Sequence, residues 1–454
     1  MTSETPLATE QQVRTPASVN FWQALFFWLK LGFISFGGPS GQIAIMHAEL
    51  VQRRRWISEK RFLHALNYCM VLPGPEAQQL ATYLGWLMHK TRGGILAGTL
   101  FVLPSLLILI GLSWIYIAFG ETAVVSGLFA GIKPAVTAIV LQALYRIGGR
   151  ALKNKLLWGI ALLSFVGMFA LGVPFPVIIA CAALTGYVGA RLSPSYFQQS
   201  AAHNKTAAYL GPALIDDDTP TPAHAVFLWR RLAQVLLLGA LLWLLPISVL
   251  TAVWGWDHTL TQMGWFFTKA ALLTFGGAYA VLPYVYQGAV TQYGWLTPSQ
   301  MMDGLALGET TPGPLIMVVA FVAFVGAYVK AVFGPDALFL AGATAACLVT
   351  WFTFLPSFIF ILAGGPLVES THNELAFTAP LTAITAAVVG VMAQLALFFG
   401  YHTLWPQGFA GPLDLTAAGI VAGAALALLR FKRPAIEVIV ACALLGLLLK
   451  LLLI

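Results

Sequence analysis

Charge is scarce in this chain. Only 9% of its 454 residues are Asp, Glu, Lys or Arg, against roughly 25% in an ordinary soluble domain, so a water-soluble globular enzyme is excluded. Cysteine is nearly absent as well. Cys69, Cys181, Cys347 and Cys442 all sit inside apolar stretches without CxxC spacing, which argues against both a disulfide framework and a cysteine zinc site. The eight histidines are scattered and lack HxxxH or similar ligand spacing, so no metal and no cofactor is expected. The polar first 20 residues carry no short apolar core followed by a small-residue cleavage site, so the first hydrophobic segment is expected to remain in the mature protein. No nucleic-acid partner is expected.

Apolar residues, at 59%, are what the chain has in abundance. Runs of about 20, the length that crosses a hydrocarbon core, recur from Phe21 to the end. Backbone polar groups have no water to bond inside a bilayer, so such runs must be helices. The expected class is an all-α polytopic membrane protein, with membrane lipid as its solvent.

The sequence repeats. Lys30, Phe36, Gly37, Gly38, Trp56, Pro73, Gly74 and Pro75 recur as Lys269, Phe275, Gly276, Gly277, Trp295, Pro312, Gly313 and Pro314, all at one constant offset, and Leu103-Pro104-Ser105 is echoed by Leu355-Pro356-Ser357. Self-similarity of this kind marks two homologous halves. Each half has two segments interrupted by Gly and Pro (21–47 and 62–88; 260–287 and 303–328) followed by four continuous ones (94–119, 122–145, 155–171, 174–190; 337–363, 375–399, 413–429, 435–454), and 232–253 belongs to neither. About thirteen hydrophobic segments result. The expected organisation is a polar tail at 1–20, a first repeat at 21–192, a linker at 193–225, a connecting helix at 226–254 and a second, inverted repeat at 255–454.

Inversion follows from the positive charges. If the four interrupted segments re-enter on their own side, which irregular backbone permits where it is buried in protein or lines a cavity, the basic loops collect on the N-terminal face. That face is cytoplasmic by the positive-inside rule. Arg14, Arg53, Arg54, Arg55 and Lys205 fall there, Lys330 alone falls outside, and Lys30, Lys133, Lys269 and Lys450 lie within apolar segments. The loop with Arg53 to Trp56 is basic, whereas its equivalent, Gln292 to Trp295, has no Lys or Arg. Thirteen full spans remain compatible with hydropathy.

Inverted repeats with broken helices build secondary transporters, whose sites lie where half-helix ends meet. The candidate site is made of these breaks. Gly37-Gly38 and Gly276-Gly277 allow left-handed backbone, and Pro73-Gly74-Pro75 and Pro312-Gly313-Pro314 repeat the device, each starting a new helix whose first amides can hold an anion. Lys30 and Lys269 stand six residues before the Phe-Gly-Gly turns, and a lysine at membrane depth is a functional candidate. Lys133, beside Pro134, is a weaker one. Glu76 and Glu309 are intramembrane carboxylates without repeat partners, readable as proton carriers or as counter-ions. Ser35, Ser40 and Thr274, with Gln42, Gln78 and Gln79, offer hydrogen bonds to an oxyanion.

The FxxFGGP motif at Phe33 to Pro39, the second FGG, the doubled PGP and the two halves together resemble the chromate ion transporter (CHR) family, long-chain bidomain type, over essentially the whole chain after residue 20. The resemblance implies a bacterial inner-membrane, multi-pass carrier with a cytoplasmic N-terminus that exports chromate and confers chromate resistance. It also implies that Lys30, Phe36 to Pro39, Pro73 to Glu76 and their second-half counterparts do the work. Ala278 and Leu315 depart from the pattern. Chromate and sulfate are both tetrahedral dianions, so the substrate stays open between them, as does proton-coupled antiport. An anion channel would use the same dipoles, and an enzyme would need an acid-base constellation that is missing. A homodimer is an allowed assembly.

Overall fold

A computed structural model of the chain describes residues 19–36, 38–192, 211–220, 222–370 and 378–452. Most of the expected tail at 1–20, Arg14, Gly37, Lys205 and the first part of the linker lie outside the described residues. What is described is helical, apart from turns and one isolated bridge between Ile57 and Ile215.

The first half contains α1 (Phe21–Ile34), α2 (Gly38–His47), α3 (Glu59–Val71), α4 (Glu76–Phe119), α5 (Ala123–Ala151), α6 (Lys155–Phe169) and α7 (Phe175–Leu192), and α8 (Trp229–Trp254) follows the linker. The second half runs through α9 (Thr259–Leu272), α10 (Ala278–Tyr286), α11 (Pro298–Thr310), α12 (Val318–Val329), α13 (Leu338–Ser370), α14 (Thr378–Leu404), α15 (Leu415–Leu429) and α16 (Ala435–Leu452). Seven of these, α4, α5, α7, α8, α13, α14 and α16, are long and apolar enough to cross a membrane. The breaks fall at Gly- and Pro-rich stretches: Ser35 and Phe36, Leu72 to Pro75, Leu273 to Gly277 and Thr311 to Pro314 all lie between helices. Even the π-helical turns repeat, Ala48–Arg53 after α2 and Gln287–Gln292 after α10. One boundary is subtler. Helix α4 takes in two expected segments and is broken only at His89 and Lys90, the latter at φ +57°.

The halves interlock. Helix α5 packs on α15 and α16, and its repeat equivalent α14 packs on α6 and α7, while α5 touches α14 and α4 touches its equivalent α13. Small residues make the approach close, as expected between membrane helices: a Cβ on Gly131 of α5 would lie 1.8 Å from the Cys442 carbonyl of α16. Large buried side chains fill the interior, among them Phe266, Phe267, Phe321, Phe324, Phe352 and Phe399.

At one end of the molecule the described linker pairs with the loop after α2. Ser58 N–H donates to the Ile215 carbonyl at 3.0 Å and Ile215 N–H to the Trp56 carbonyl at 3.1 Å. Arg55 reaches the Gly211 carbonyl at 3.4 Å and Ser58 Oγ donates to Asp217 at 2.6 Å. His224 bonds the Trp86 carbonyl at 3.0 Å, and His89 bonds the Val19 carbonyl at 3.1 Å. The start of α1, the loop after α2 and the end of α4's first part therefore share one end with the linker.

Candidate functional site

The four breaks meet. Gly74 N–H donates to the Thr274 carbonyl at 2.7 Å, and Gly313 N–H to the Ser35 carbonyl at 2.8 Å. Gly74 and Gly313 are repeat equivalents, as are Ser35 and Thr274, so each half's Pro-Gly-Pro turn is tied to the other half's break before Gly-Gly. The Gly-Gly turns also face one another: a Cβ on Gly277 would lie 4.0 Å from Pro39 Cγ. Both PGP glycines have left-handed backbone, φ +128° at Gly74 and +103° at Gly313. Each is capped by a serine from the opposite half, since a Cβ on Gly74 would sit 2.4 Å from Ser357 Oγ and one on Gly313 2.8 Å from Ser105 Cβ. The Leu-Pro-Ser echo in the sequence is thereby explained.

Polar side chains crowd this junction. Gln42, fully buried, spends its amide nitrogen on the carbonyls of Gly313 at 2.5 Å and Ser35 at 3.3 Å. Gln79 spends its own on Pro73 at 2.8 Å and reaches Ser357 at 3.4 Å. Their Oε1 atoms, together with Ser35 Oγ, Gln78 Oε1 and Ser105 Oγ, are buried and have no hydrogen-bond partner among the described residues. A buried polar atom left this way costs about 1–3 kcal/mol, which marks the junction as a place built to hold something polar.

Backbone donors converge there too. Helices that start elsewhere are mostly capped by a side chain: Asn20, Ser58, Thr122, Asn154, Thr297 and Asp414 each accept from the first turn. Those starting at three breaks are not, for Pro75 before α4, Gly277 before α10 and Pro314 before α12's leading turn offer no side-chain cap. Uncapped first-turn amides and the positive end of the dipole attract an anion.

The two halves differ in polarity. Gln42, Gln78 and Gln79 have Val281, Met317 and Val318 as equivalents, and Thr274 Oγ1 is already bonded back to the Ala270 carbonyl at 2.7 Å where Ser35 Oγ is free. Unsatisfied side-chain groups at the junction thus come from first-half segments.

Lys30 is exposed on the face of α1 that carries Phe26, Phe33 and Ile34, and Ser40 and Gly276 are exposed. Lys269 is half-buried with its ammonium 5.6 Å from the Trp265 ring centre. Pro73, Pro75, Pro312 and Pro314 frame the turns, and Gly38 has φ +70°. Glu309 accepts a hydrogen bond from the Tyr279 hydroxyl, and Glu76 opens the first turn of α4.

Two further carboxylates escaped the sequence reading, which counted only Glu76 and Glu309 inside the apolar segments. Glu369 of α13, 3% exposed, is held by Arg61 at 2.7 Å and by the Tyr83 hydroxyl, and Arg61 also donates to the Thr219 carbonyl of the linker at 2.7 Å. Asp303 of α11, 2% exposed, accepts from Tyr116 at 2.8 Å and pairs with Lys133 at 3.4 Å, whose Nζ also donates to Ser299 at 2.6 Å. Lys133 is therefore one arm of an ion pair. Each cluster has a carboxylate from the second half and a cation with a tyrosine from the first. Their only sequence signal was charge within or next to apolar runs, the residues that membrane burial makes expensive.

Seven membrane-length helices, broken helices joined across two repeats and a buried polar junction define a multi-pass membrane transporter. The chain belongs to the chromate transporter family, whose model matches residues 22–187 and 261–447. It is 29% identical over 438 residues to a chromate transport protein of Cupriavidus metallidurans, covering 96% of this chain and 94% of that one. It is 33% identical over 395 residues to a chromate transport protein of Pseudomonas aeruginosa, covering 86% and 83%. An uncharacterized transporter of Bacillus subtilis is 30% identical over 169 residues, which is 36% of this chain but 93% of the relative. About a third of this chain thus corresponds to nearly the whole of that smaller protein. No solved structure matches.

Proposed function

We propose that the protein is an inverted-repeat secondary carrier that exports chromate across the bacterial inner membrane and so confers chromate resistance. The observation that carries the reading is the reciprocal pair of hydrogen bonds, Gly74 to Thr274 and Gly313 to Ser35, which gathers uncapped helix starts and unsatisfied buried side chains at one point between the halves. Amides of α4, α10 and α12's leading turn bind the oxyanion, Ser35 and Ser105 donate to it, and Gln42 and Gln79 hold the turns through their amide nitrogens and leave their Oε1 atoms to accept from water bound beside it. Lys30 and Lys269 set the potential from a distance.

The repeats span 21–192 and 255–454, with the linker and N-terminus cytoplasmic. What supports inversion is that the second part of α4 leaves the linker end of the molecule, where Trp86 meets His224, while its equivalent α13 arrives there, where Glu369 meets Arg61 and Thr219. Opposite orientations of the halves account for that. The two buried carboxylate clusters then lie towards opposite faces, Arg61 with Glu369 inside and Lys133 with Asp303 outside. They act as alternating gates. Each closes its own side when formed, and separating a buried pair costs about 3–5 kcal/mol if a partner is lost, so opening one is favoured when water or substrate replaces the bond.

Direction follows from charge. Moving one charge through 100 mV is worth about 2.3 kcal/mol, so a dianion leaving an inside-negative cell gains about 4.6 kcal/mol per 100 mV. Export needs no coupled proton, whereas import would. Uptake of labelled chromate into everted vesicles, with and without an imposed potential and with sulfate as competitor, tests the reading. Saturable, potential-accelerated accumulation is expected. Non-saturable flux indicates a channel, and stronger competition by sulfate than by chromate itself reassigns the substrate.

A further inference from the structure

A second site lies on the membrane-facing side, behind the junction, where Gly98 of its lining backs onto Gln78. Helices α4, α8 and α13 enclose a groove of about 370 Å³ whose lining is almost wholly apolar, with Val102, Leu106, Leu238, Leu242, Phe358 and Ile359 along it. Leu238 and Leu242 belong to a stripe on α8 that continues through Val235 to Arg231 at helical spacing, and on α4 the lining runs from Thr91 through Ile95 and Thr99 to Leu106. The groove therefore ends where α8 begins and where α4 resumes after its break.

That end is cationic. Thr91 lines the groove between Lys90 and Arg92, both exposed, and the first turn of α8 carries Arg230 and Arg231. Burial holds His224 below the usual imidazole range, and Lys90 and Arg231 both push it the same way while Glu369 opposes them, so the two cations from α4 and α8 stand around one imidazole. Arg231 also donates to the His224 carbonyl. Helix α8 starts at Trp229, after Leu228, with no side-chain cap, which leaves its first amides and positive dipole end beside these cations.

We propose that this groove is a binding site for an anionic phospholipid, with an acyl chain between α4, α8 and α13 and the headgroup phosphate on Lys90, Arg92, Arg230 and the start of α8. Charge complementarity selects the occupant. A neutral hydrocarbon would leave four cations and a helix N-terminus unmatched, and a soluble anion would leave the apolar groove unfilled. Basic pockets between helices on the cytoplasmic side are suited to such headgroups. The lipid would wedge between α4 of one half and α13 of the other, with α8 as its third wall.

Native mass spectrometry of the detergent-purified full chain, after incubation with mixed phosphatidylglycerol and phosphatidylcholine, reads the site directly. Phosphatidylglycerol is expected to stay bound at least tenfold more than phosphatidylcholine, and 10-fold molar excess of inorganic phosphate should not displace it. The variant Lys90→Gln/Arg92→Gln, which alters only exposed side chains, should bring the two lipids to equal retention. Thr99→Trp, which fills the groove and leaves every charge in place, should lower retention of both. Equal retention of the two lipids by the native chain, displacement by inorganic phosphate, or unchanged phosphatidylglycerol binding in both variants overturns the proposal.

Discussion

The amide of Gly74 donates to the carbonyl of Thr274 at 2.7 Å, and the equivalent amide of Gly313 donates to Ser35 at 2.8 Å. The pair works only with glycine as donor. Left-handed backbone at φ +128° and +103° disfavours any side chain, and a Cβ would enter Ser357 or Ser105. Non-glycine residues in strained backbone cost about 1–3 kcal/mol each, before any clash. Gly74→Ala and Gly313→Ala should each lower chromate transport at least about tenfold at comparable membrane abundance. Near-normal transport by both would remove the junction as the working centre.

The unsatisfied side chains predict an asymmetry between halves. Gln42→Leu and Gln79→Met, which remove the amide nitrogens that tie the turns to Gly313, Ser35 and Pro73, should each raise the half-saturating chromate concentration about tenfold. Val281→Ala and Val318→Ala, at the equivalent second-half positions, should shift it by less than about twofold. Equal effects at both sets of positions would place recognition on the backbone alone.

The gates predict non-additivity. Glu369→Gln or Arg61→Gln alone strands a buried charge and should lower the melting temperature and transport, whereas the double variant should recover stability but leave the inner side open. A thiol introduced near Gln79 should then react faster with a cytoplasmic reagent. Additive losses in the double variant, with unchanged thiol reactivity, would make the pair purely structural.

Orientation is testable by single-cysteine labelling in intact cells. Positions between 51 and 61 should be protected from a membrane-impermeant reagent, and positions between 290 and 300 should be labelled. The same result for both loops contradicts inversion, and the reverse pattern contradicts the cytoplasmic N-terminus.

Energetics can be read in everted vesicles. At symmetric pH an imposed potential of the physiological sense should accelerate chromate accumulation, while a pH gradient at zero potential should do little. Glu76→Gln should slow transport through the turn at Pro73 to Pro75 and leave the dependence on potential intact. Transport that follows pH and loses that dependence in Glu76→Gln or Glu309→Gln would establish a proton antiporter.

Much of this protein was legible in one dimension. Helices in a bilayer are set by continuous apolar length and are ended by Gly and Pro, both local properties, so the edges of α8 and α16 and all four breaks could be read from residue order, whereas α5 runs on to Ala151, beyond the apolar run at 122–145. Duplication was legible for the same reason, since equivalent turns require equivalent residues. What residue order could not supply was which break meets which. The pairing of Gly74 with Thr274 across two hundred residues, the capping of each PGP glycine by the other half's serine and the partners of Asp303 and Glu369 are contacts between segments distant in sequence. Lys30 shows the limit most plainly: its repeat-matched position promised a place at the site, yet the packing of α1 on α4 buries Phe27 and Leu31 and turns Lys30 outwards. A helix has one buried face, and only the neighbours it packs against decide which side chains occupy it.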